Sequence, residues 1–394
     1  MRRVLSGLLV LMMCLTLGAL AEDEEISFLD LTGGKQTQSA TPDPNATPDP
    51  SSTQDPSATQ DPAGTQPTPT VVPSADGSVL LTMSFTGDVT IGGDVRKSGK
   101  SIFDKELDKQ KGDLSFPFRN VKDIFAQDDM TLVNFEGTLT TAPINPDKTE
   151  NEFLFSAPPE YVQILTTGNI EAVSLENNHV MDHGTAGYSE TQDTIRNAGI
   201  VYSGGGQIGV YEAQGVKIAM LAYQTFDQYS TLFEQVPKDV AAAKAQYPIV
   251  IVSFHWGAEK DYKPNDNQQK LGKMAVDAGA DLVIGHHSHR INPIEVYKGK
   301  YICYSLGNFS FAGNSKPSDM STYIFQTRFR VLNGTATPEG FRIIPCRISS
   351  RTDYNDFAPT PYDNDNSIQS LLTVLKDNSK GLDNPVPSYP LDWQ

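Results

Sequence analysis

From Ser78 onward the chain alternates short apolar runs with polar segments, and five of these runs end in chemistry-bearing residues. Val79 to Phe85 leads into Thr86-Gly87-Asp88. Met130 to Phe135 carries Asn134 and leads into Glu136. Ala172 to Leu175 leads into Glu176-Asn177-Asn178-His179, Pro248 to Phe254 into His255, and Ala280 to Gly285 into His286-His287-Ser288-His289. Runs of this length bounded by turn residues predict buried strands, with Thr86-Gly87-Asp88 a turn that closes the first. Helical character lies between them, at Pro159 to Thr167, Gly187 to Ala198, Val236 to Gln246 and Asp266 to Ala278. The last of these sets Leu271, Met274 and Ala275 on one face. Alternating strands and helices predict an α/β architecture. Ligands in such folds gather outside the carboxyl ends of the strands, so the five polar clusters should meet at one edge.

After His289 the helical spacers stop. The runs Pro293 to Tyr297, Tyr301 to Phe311, Tyr323 to Leu332 and Gly340 to Ser349 are punctuated by Lys298-Gly299-Lys300 and Asn333-Gly334. They predict antiparallel pairs that complete a sheet. The last stretch, 351–394, carries one short helical pattern near Ile368 to Leu375 and a Pro-rich end expected to be a loose surface strap. Ser203-Gly204-Gly205-Gly206 lacks the Lys and Ser/Thr of a phosphate loop and predicts only a tight turn.

Before Ser78 the pattern is of another kind. Met1-Arg2-Arg3, an apolar run from Val4 to Leu20 and Ala19-Leu20-Ala21 have the form of a secretory signal peptide, 1–21, with an uncleaved anchor as the alternative. Cys14 would leave with it. Residues 22–77 form a Thr/Pro/Asp-rich linker with quasi-repeats TPDP and TQDP, too poor in apolar side chains to pack, and predict an extended solvated tether. The domain that follows, 78–350, is long enough for a full core, and 351–394 extends it over the surface.

Charge and cysteine content narrow the chemistry. The net charge is −17, but nine acidic residues against one lysine lie between Glu22 and Ala75, so the folded part is only moderately acidic. No basic stripe of the kind that neutralises phosphates is present, which argues against a nucleic-acid partner. Cys303 and Cys346 each sit inside an apolar run and lack a CxxC spacing, so buried free thiols are expected and a sulfur-held zinc is not.

All six histidines fall between His179 and His289. With Asp88, Asn134, Glu136, Asn178 and Asp182, four of them, His179, His255, His287 and His289, make a set of carboxylates, amides and imidazoles from separate strand ends. Such a set suits a borderline or hard divalent ion, Mn, Fe, Zn or Mg.

Five motifs occur in one order: FTGD at Phe85 to Asp88, NFEGTL at Asn134 to Leu139, SLENNHVMDHG at Ser174 to Gly184, HWGAE at His255 to Glu259, and GADLVIGHHSHRINPIEVYKGKYICYSLGNFSF at Gly279 to Phe311. Together they resemble the CapA family of poly-γ-glutamate capsule synthesis, within the metallophosphatase (calcineurin-like) superfamily. The resemblance implies an α/β/β/α sandwich with mixed sheets. It implies metal ligation by Asp88, Glu136, Asn178, His255, His287 and His289, with one or two divalent ions. It also implies that His179 faces the substrate as a general acid oriented by Asp182. The superfamily's opening Asp-x-His motif here reads Asp88-Val89-Thr90, which leaves the count of ions open between one and two.

His286 is expected beside the ligands rather than among them, while Asn134 is open between ligation and a capping or supporting hydrogen bond. Trp256, Glu259 and Tyr262 are candidates for lining a substrate cleft, against packing as the alternative, and His183 reads as exposed turn. Three functions stay open. The first is an extracytoplasmic capsule-synthesis protein acting on an anionic surface polymer with membrane-bound synthesis components. The others are a secreted metal-dependent phosphoesterase that acts on a phosphate ester, and a non-catalytic export scaffold with a structural metal.

Overall fold

The computed structural model describes residues 74–148, 153–226 and 228–393. The expected signal peptide and all but the last four residues of the linker lie outside them. In chain order the strands are β1 (Val79–Thr90), β2 (Gly93–Asp94), β3 (Met130–Phe135), β4 (Thr138–Leu139), β5 (Phe155–Ala157), β6 (Ala172–Ser174), β7 (Val201–Ser203), β8 (Gly209–Ala213), β9 (Val216–Gln224), β10 (Ile249–His255), β11 (Leu282–His286), β12 (Ile294–Tyr297), β13 (Lys300–Cys303), β14 (Asn308–Phe311), β15 (Ser321–Leu332), β16 (Thr335–Arg347) and β17 (Thr360–Pro361). The helices are α1 (Ile102–Lys109), α2 (Lys122–Phe125), α3 (Val162–Thr167), α4 (Gly184–Asn197), α5 (Tyr229–Lys244), α6 (Asp266–Asp277) and α7 (Asp365–Asn378).

Two mixed sheets carry the fold. One runs β17-β16-β15-β1-β3-β6-β7, with β14 also on β1; the other runs β12-β13-β11-β10-β9-β8. The alternation of side chains along each strand sorts the apolar residues into three layers. Leu81, Met83, Phe85 and Leu132 of the first sheet pack with Ile218, Met220, Ile249, Ile251, Leu282 and Ile284 of the second, forming the layer between sheets. The opposite-parity residues Val133, Phe135 and Val173 pack outward with Phe103, Ile164, Leu165 and Ile195 of the helices α1, α3 and α4. Val250, Val252, Phe254 and Val283 pack with Leu232, Val236, Val240 and Leu271 of α5 and α6. The architecture is an α/β/β/α sandwich. Both faces of each central strand are buried, and each side chain so removed from water contributes about 1.5–3 kcal/mol.

Several expectations need correction. β1 does not turn at Thr86; it continues to Thr90, with a register irregularity between Phe85 and Asp88, so Asp88 stands within a strand and pairs with Asn134. The close approach of the Gly307 carbonyl, 1.9 Å from where a Cβ on Gly87 would lie, is what the glycine permits. The runs after His289 complete both sheets rather than one, and not all pair antiparallel: β13 lies parallel to β11 and β14 parallel to β1. Helix α5 begins at Tyr229, seven residues before the expected start at Val236, with Pro237 inside it. The hairpin β8–β9 and helix α1 carried no recognised signal.

The C-terminal segment is anchored, not loose. Leu371 and Leu375 of α7 enter the layer between the sheets. Beyond it Val386 N donates to the Ile294 carbonyl at 3.1 Å, and Ile343 N to that of Pro390 at 2.8 Å. Cys303 and Cys346 are buried free thiols, as expected.

Candidate metal centre

The strand parity that builds the middle layer also builds the site. His255 follows Ile249 and Ile251 on the inner face of β10, His286 follows Leu282 and Ile284 on that of β11, and Asn134 follows Leu132 on β3. Polar groups thus replace apolar ones in the last rung of each inner column, and the two sheets aim them at one another. His255 and His286 are register partners, as are Asp88 and Asn134. Asp88, Asn134, Glu136, His255 and His286 are each at most 1% exposed.

The contacts knit all five clusters together. Asn134 Nδ2 donates to Asp88 Oδ1 at 2.9 Å. His289 Nδ1 is 2.8 Å from Asn308 Oδ1 and 3.3 Å from Asp88 Oδ2. His255 Nε2 lies 2.8 Å from Asn178 Oδ1. His179 Nδ1 is 2.8 Å from Asp182 Oδ2, which also accepts from Phe155 N at 2.7 Å, while His179 Nε2 points at Glu136 Oε1 from 3.7 Å. The backbone is strained where the histidines converge, with φ of +88° at His287 and +54° at His289.

Electrostatics follow from burial and neighbours. Burial raises Glu136 well above the carboxylate range, and the charge of Asp88 adds to it. Asp88 is held well below its usual value: burial opposes this, but His286 and His289 outweigh it. Burial, then the neighbouring His287, pushes His255 well down, and burial with His289 beside it lowers His287 to about 4. Burial works against charge at His289 too, yet Glu136 and Asp88 raise it to about 9.

Asp88, Glu136 and His255 offer ligand atoms that all lie within 4.8 Å of one another. Both Glu136 oxygens and His287 Nδ1 are buried without a hydrogen-bond partner among the described residues. A buried carboxylate with neither oxygen satisfied is costly unless a cation sits against it, so the donor set fits a divalent ion.

Two expectations change here, those for Trp256 and His183. Trp256 lines no cleft: it is fully buried, stacked on Phe254, with Nε1 donating to the Tyr304 carbonyl at 2.8 Å. His183 is buried, its Nδ1 2.6 Å from the Ala142 carbonyl. His286 is drawn into the cluster, with Nδ1 3.3 Å from Asp88 Oδ1. Glu259 is exposed, and its charge is felt at Glu136, His287 and His289. Tyr262 donates to Asp319 at 2.6 Å and borders a cavity of about 500 Å³ with Ser318, Leu371 and Asn378.

Asn177 of the third cluster and residues that carried no site signal complete the surroundings. Asn177 Nδ2 donates to the Phe135 carbonyl at 2.8 Å, and its Oδ1 accepts from His179 N at 3.1 Å. Lys148 lies 3.1 Å from Asp182. Phe155, Phe226 and Phe311 pack on His179, His287 and His289 with ring centroids 4.5, 4.6 and 4.8 Å apart.

A family model described as bacterial capsule synthesis protein PGA_cap matches residues 82–312, a span that holds all five clusters. The chain belongs to this family. The PGA biosynthesis protein CapA of Bacillus subtilis is 31% identical over 334 residues, covering 79% of this chain and 81% of that protein. The capsule biosynthesis protein CapA of Bacillus anthracis is 30% identical, covering 76% and 74%. Among solved structures, the calcineurin-like phosphoesterase YfkN of Bacillus subtilis aligns over 76% of this chain and 99% of that one, at 16% identity and a TM-score of 0.39. Within the PGA_cap match, every residue of the candidate centre lies between Asp88 and Asn308.

Proposed function

We propose that this chain acts outside the cytoplasmic membrane in synthesis of poly-γ-glutamate or a related anionic surface polymer, through a divalent metal centre at the strand ends. Membership of the capsule-synthesis family and the names of its relatives support the process. The signal-like N-terminus supports the location. Membrane-bound synthesis components are the expected partners, and the polymer is the expected substrate.

The observation that carries the metal centre is Glu136, buried with both oxygens unpartnered among Asp88, His255 and His179. Asp88, Glu136, Asn178, His255, His287 and His289 would hold one or two ions. Bound there, a divalent ion would bring the pKa of a water toward neutrality and offset charge on a substrate oxygen. The chain's own part is proton handling. Asp182 fixes the His179 ring through Nδ1, so Nε2 is the atom that faces the site and would hold a proton for a leaving group. Phe155 N and Lys148 in turn hold Asp182.

Protein loaded with Mn2+ should act on a γ-glutamyl polymer, and H179A should lower that rate about 10²–10⁴-fold with little change in metal affinity. Activity confined to bis-p-nitrophenyl phosphate, and lost in H179A, would instead make it a phosphoesterase. Tight Mn2+ binding with no turnover of either substrate would make it a scaffold.

A further inference from the structure

His286 has no task in the reading above, yet it is among the most deeply buried groups of the cluster. Its side chain is 1% exposed, and neither ring nitrogen has a hydrogen-bond partner among the described residues. Leaving polar atoms in that condition costs roughly 1–3 kcal/mol each, so something must offset it. The ring extends the inner column Leu282–Ile284 toward β1, and Nδ1 comes to 3.3 Å from Asp88 Oδ1 without the alignment of a hydrogen bond.

That distance has a chemical meaning. Nitrogen and oxygen ligands at about 2.1 Å from a shared ion lie about 3.0–3.4 Å from each other. The other Asp88 oxygen stands 3.3 Å from His289 Nδ1, but there the imidazole is already fixed by Asn308 at 2.8 Å. Thr90, two residues along β1, is turned away: its hydroxyl donates to the Glu136 carbonyl at 2.8 Å. Asn134 donates a hydrogen bond to Asp88 Oδ1, and His286 beside the same oxygen has both ring nitrogens uncommitted among the described residues.

We propose that His286 is itself a metal ligand, binding through Nδ1 an ion held on Asp88 Oδ1. The inference rests on the metal-centre reading above and adds to it a seventh ligand and a distinct position, on the Asp88 side of the cluster. His255 and His286, adjacent on β10 and β11, then serve the two sides of one centre.

Crystals of the wild-type protein grown with Mn2+ test this through anomalous scattering, alongside Mn2+ titrations of wild type, H286A and H286Q. A peak within about 2.3 Å of His286 Nδ1 is expected. Both variants should lose Mn2+ affinity at one position by roughly tenfold or more. An ion on Glu136 and His255 that stays beyond bonding distance of His286, or variants that bind like the wild type, would overturn the inference and leave the metal centre standing. No peak and no binding in the wild type would defeat both. If the variants do not fold, the wild-type map decides alone.

Discussion

Strand β3 has acid at both of its ends, part-buried at one and fully buried at the other, and the two ends are built differently. At the amino end Asp128, Asp129 and Glu171 gather where β3 and β6 begin. There Glu171 accepts from Thr131 N at 2.8 Å, Asp129 from Thr82 N at 2.7 Å, and Asp128 from Thr131 Oγ at 2.9 Å. Backbone and hydroxyl donors of the sheet, with the Gln214 side-chain amide donating to Asp129, satisfy this cluster, one Asp128 oxygen excepted. At the carboxyl end Glu136 accepts nothing from the described residues, and in the same cluster both ring nitrogens of His286 and Nδ1 of His287 are unpartnered. Burial raises Asp128 and Glu171 at one end and Glu136 at the other, so a perturbed carboxyl group alone does not mark a site. Unmet acceptors that converge with unmet nitrogens do.

The sharpest way to break this comparison is Glu136→Gln, which keeps shape and removes charge. Mn2+ affinity measured by calorimetry should fall by about 4 kcal/mol, roughly a thousandfold. The metal-free variant should unfold no earlier than wild type, because burial beside Asp88 already disfavours the charged form of Glu136. If E136Q binds Mn2+ normally, the two ends are alike and the carboxyl end is no metal centre.

The amino end should show itself in pH dependence instead. Burial raises Asp128 to about 8, helped by the charges of Glu171 and Asp129, and burial raises Glu171 to about 7. Unfolded, both titrate near pH 4. Their neutral forms therefore contribute stability that is whole below about pH 4 and is lost as pH rises to 8. Asp128→Asn should flatten that decline and gain about 2 kcal/mol at pH 9 in denaturant unfolding, after allowance for the group's partial exposure. An unchanged pH profile would show that the acid is solvated.

Most of this contrast could be read from the residues on one side only. The carboxyl-end clusters were legible because each stands where an apolar run ends, and the parity that buries Ile249 and Ile251 also aims His255 inward. The bend in β1 that brings Asp88 opposite Asn134 was not, since Thr86-Gly87-Asp88 has the composition of a turn and only pairing with β3 and β14 keeps it extended. Trp256 failed as a cleft residue because its indole N–H finds the Tyr304 carbonyl inside, a contact across 48 residues that no local pattern encodes. Asn308 and Lys148 reach the site from segments without a metal-like spacing. The amino-end acids drew no notice, because Asp128-Asp129 before a strand has the look of an ordinary loop.

Thr131 gives the finest probe of how the amino end is satisfied. It is buried on β3, its backbone N–H serves Glu171, and its hydroxyl serves Asp128. Thr131→Val preserves the β-branched shape and the backbone donor and removes only the hydroxyl. Above pH 8, where Asp128 is charged, the lost donor should cost about 1 kcal/mol. Near pH 5 the acid is neutral and needs a donor less, so the cost should shrink. Chemical denaturation at the two pH values measures the difference. A cost that is the same at both would mean that the hydroxyl packs rather than solvates the acid, and that the sheet's backbone N–H groups alone keep this end of β3 from resembling the other.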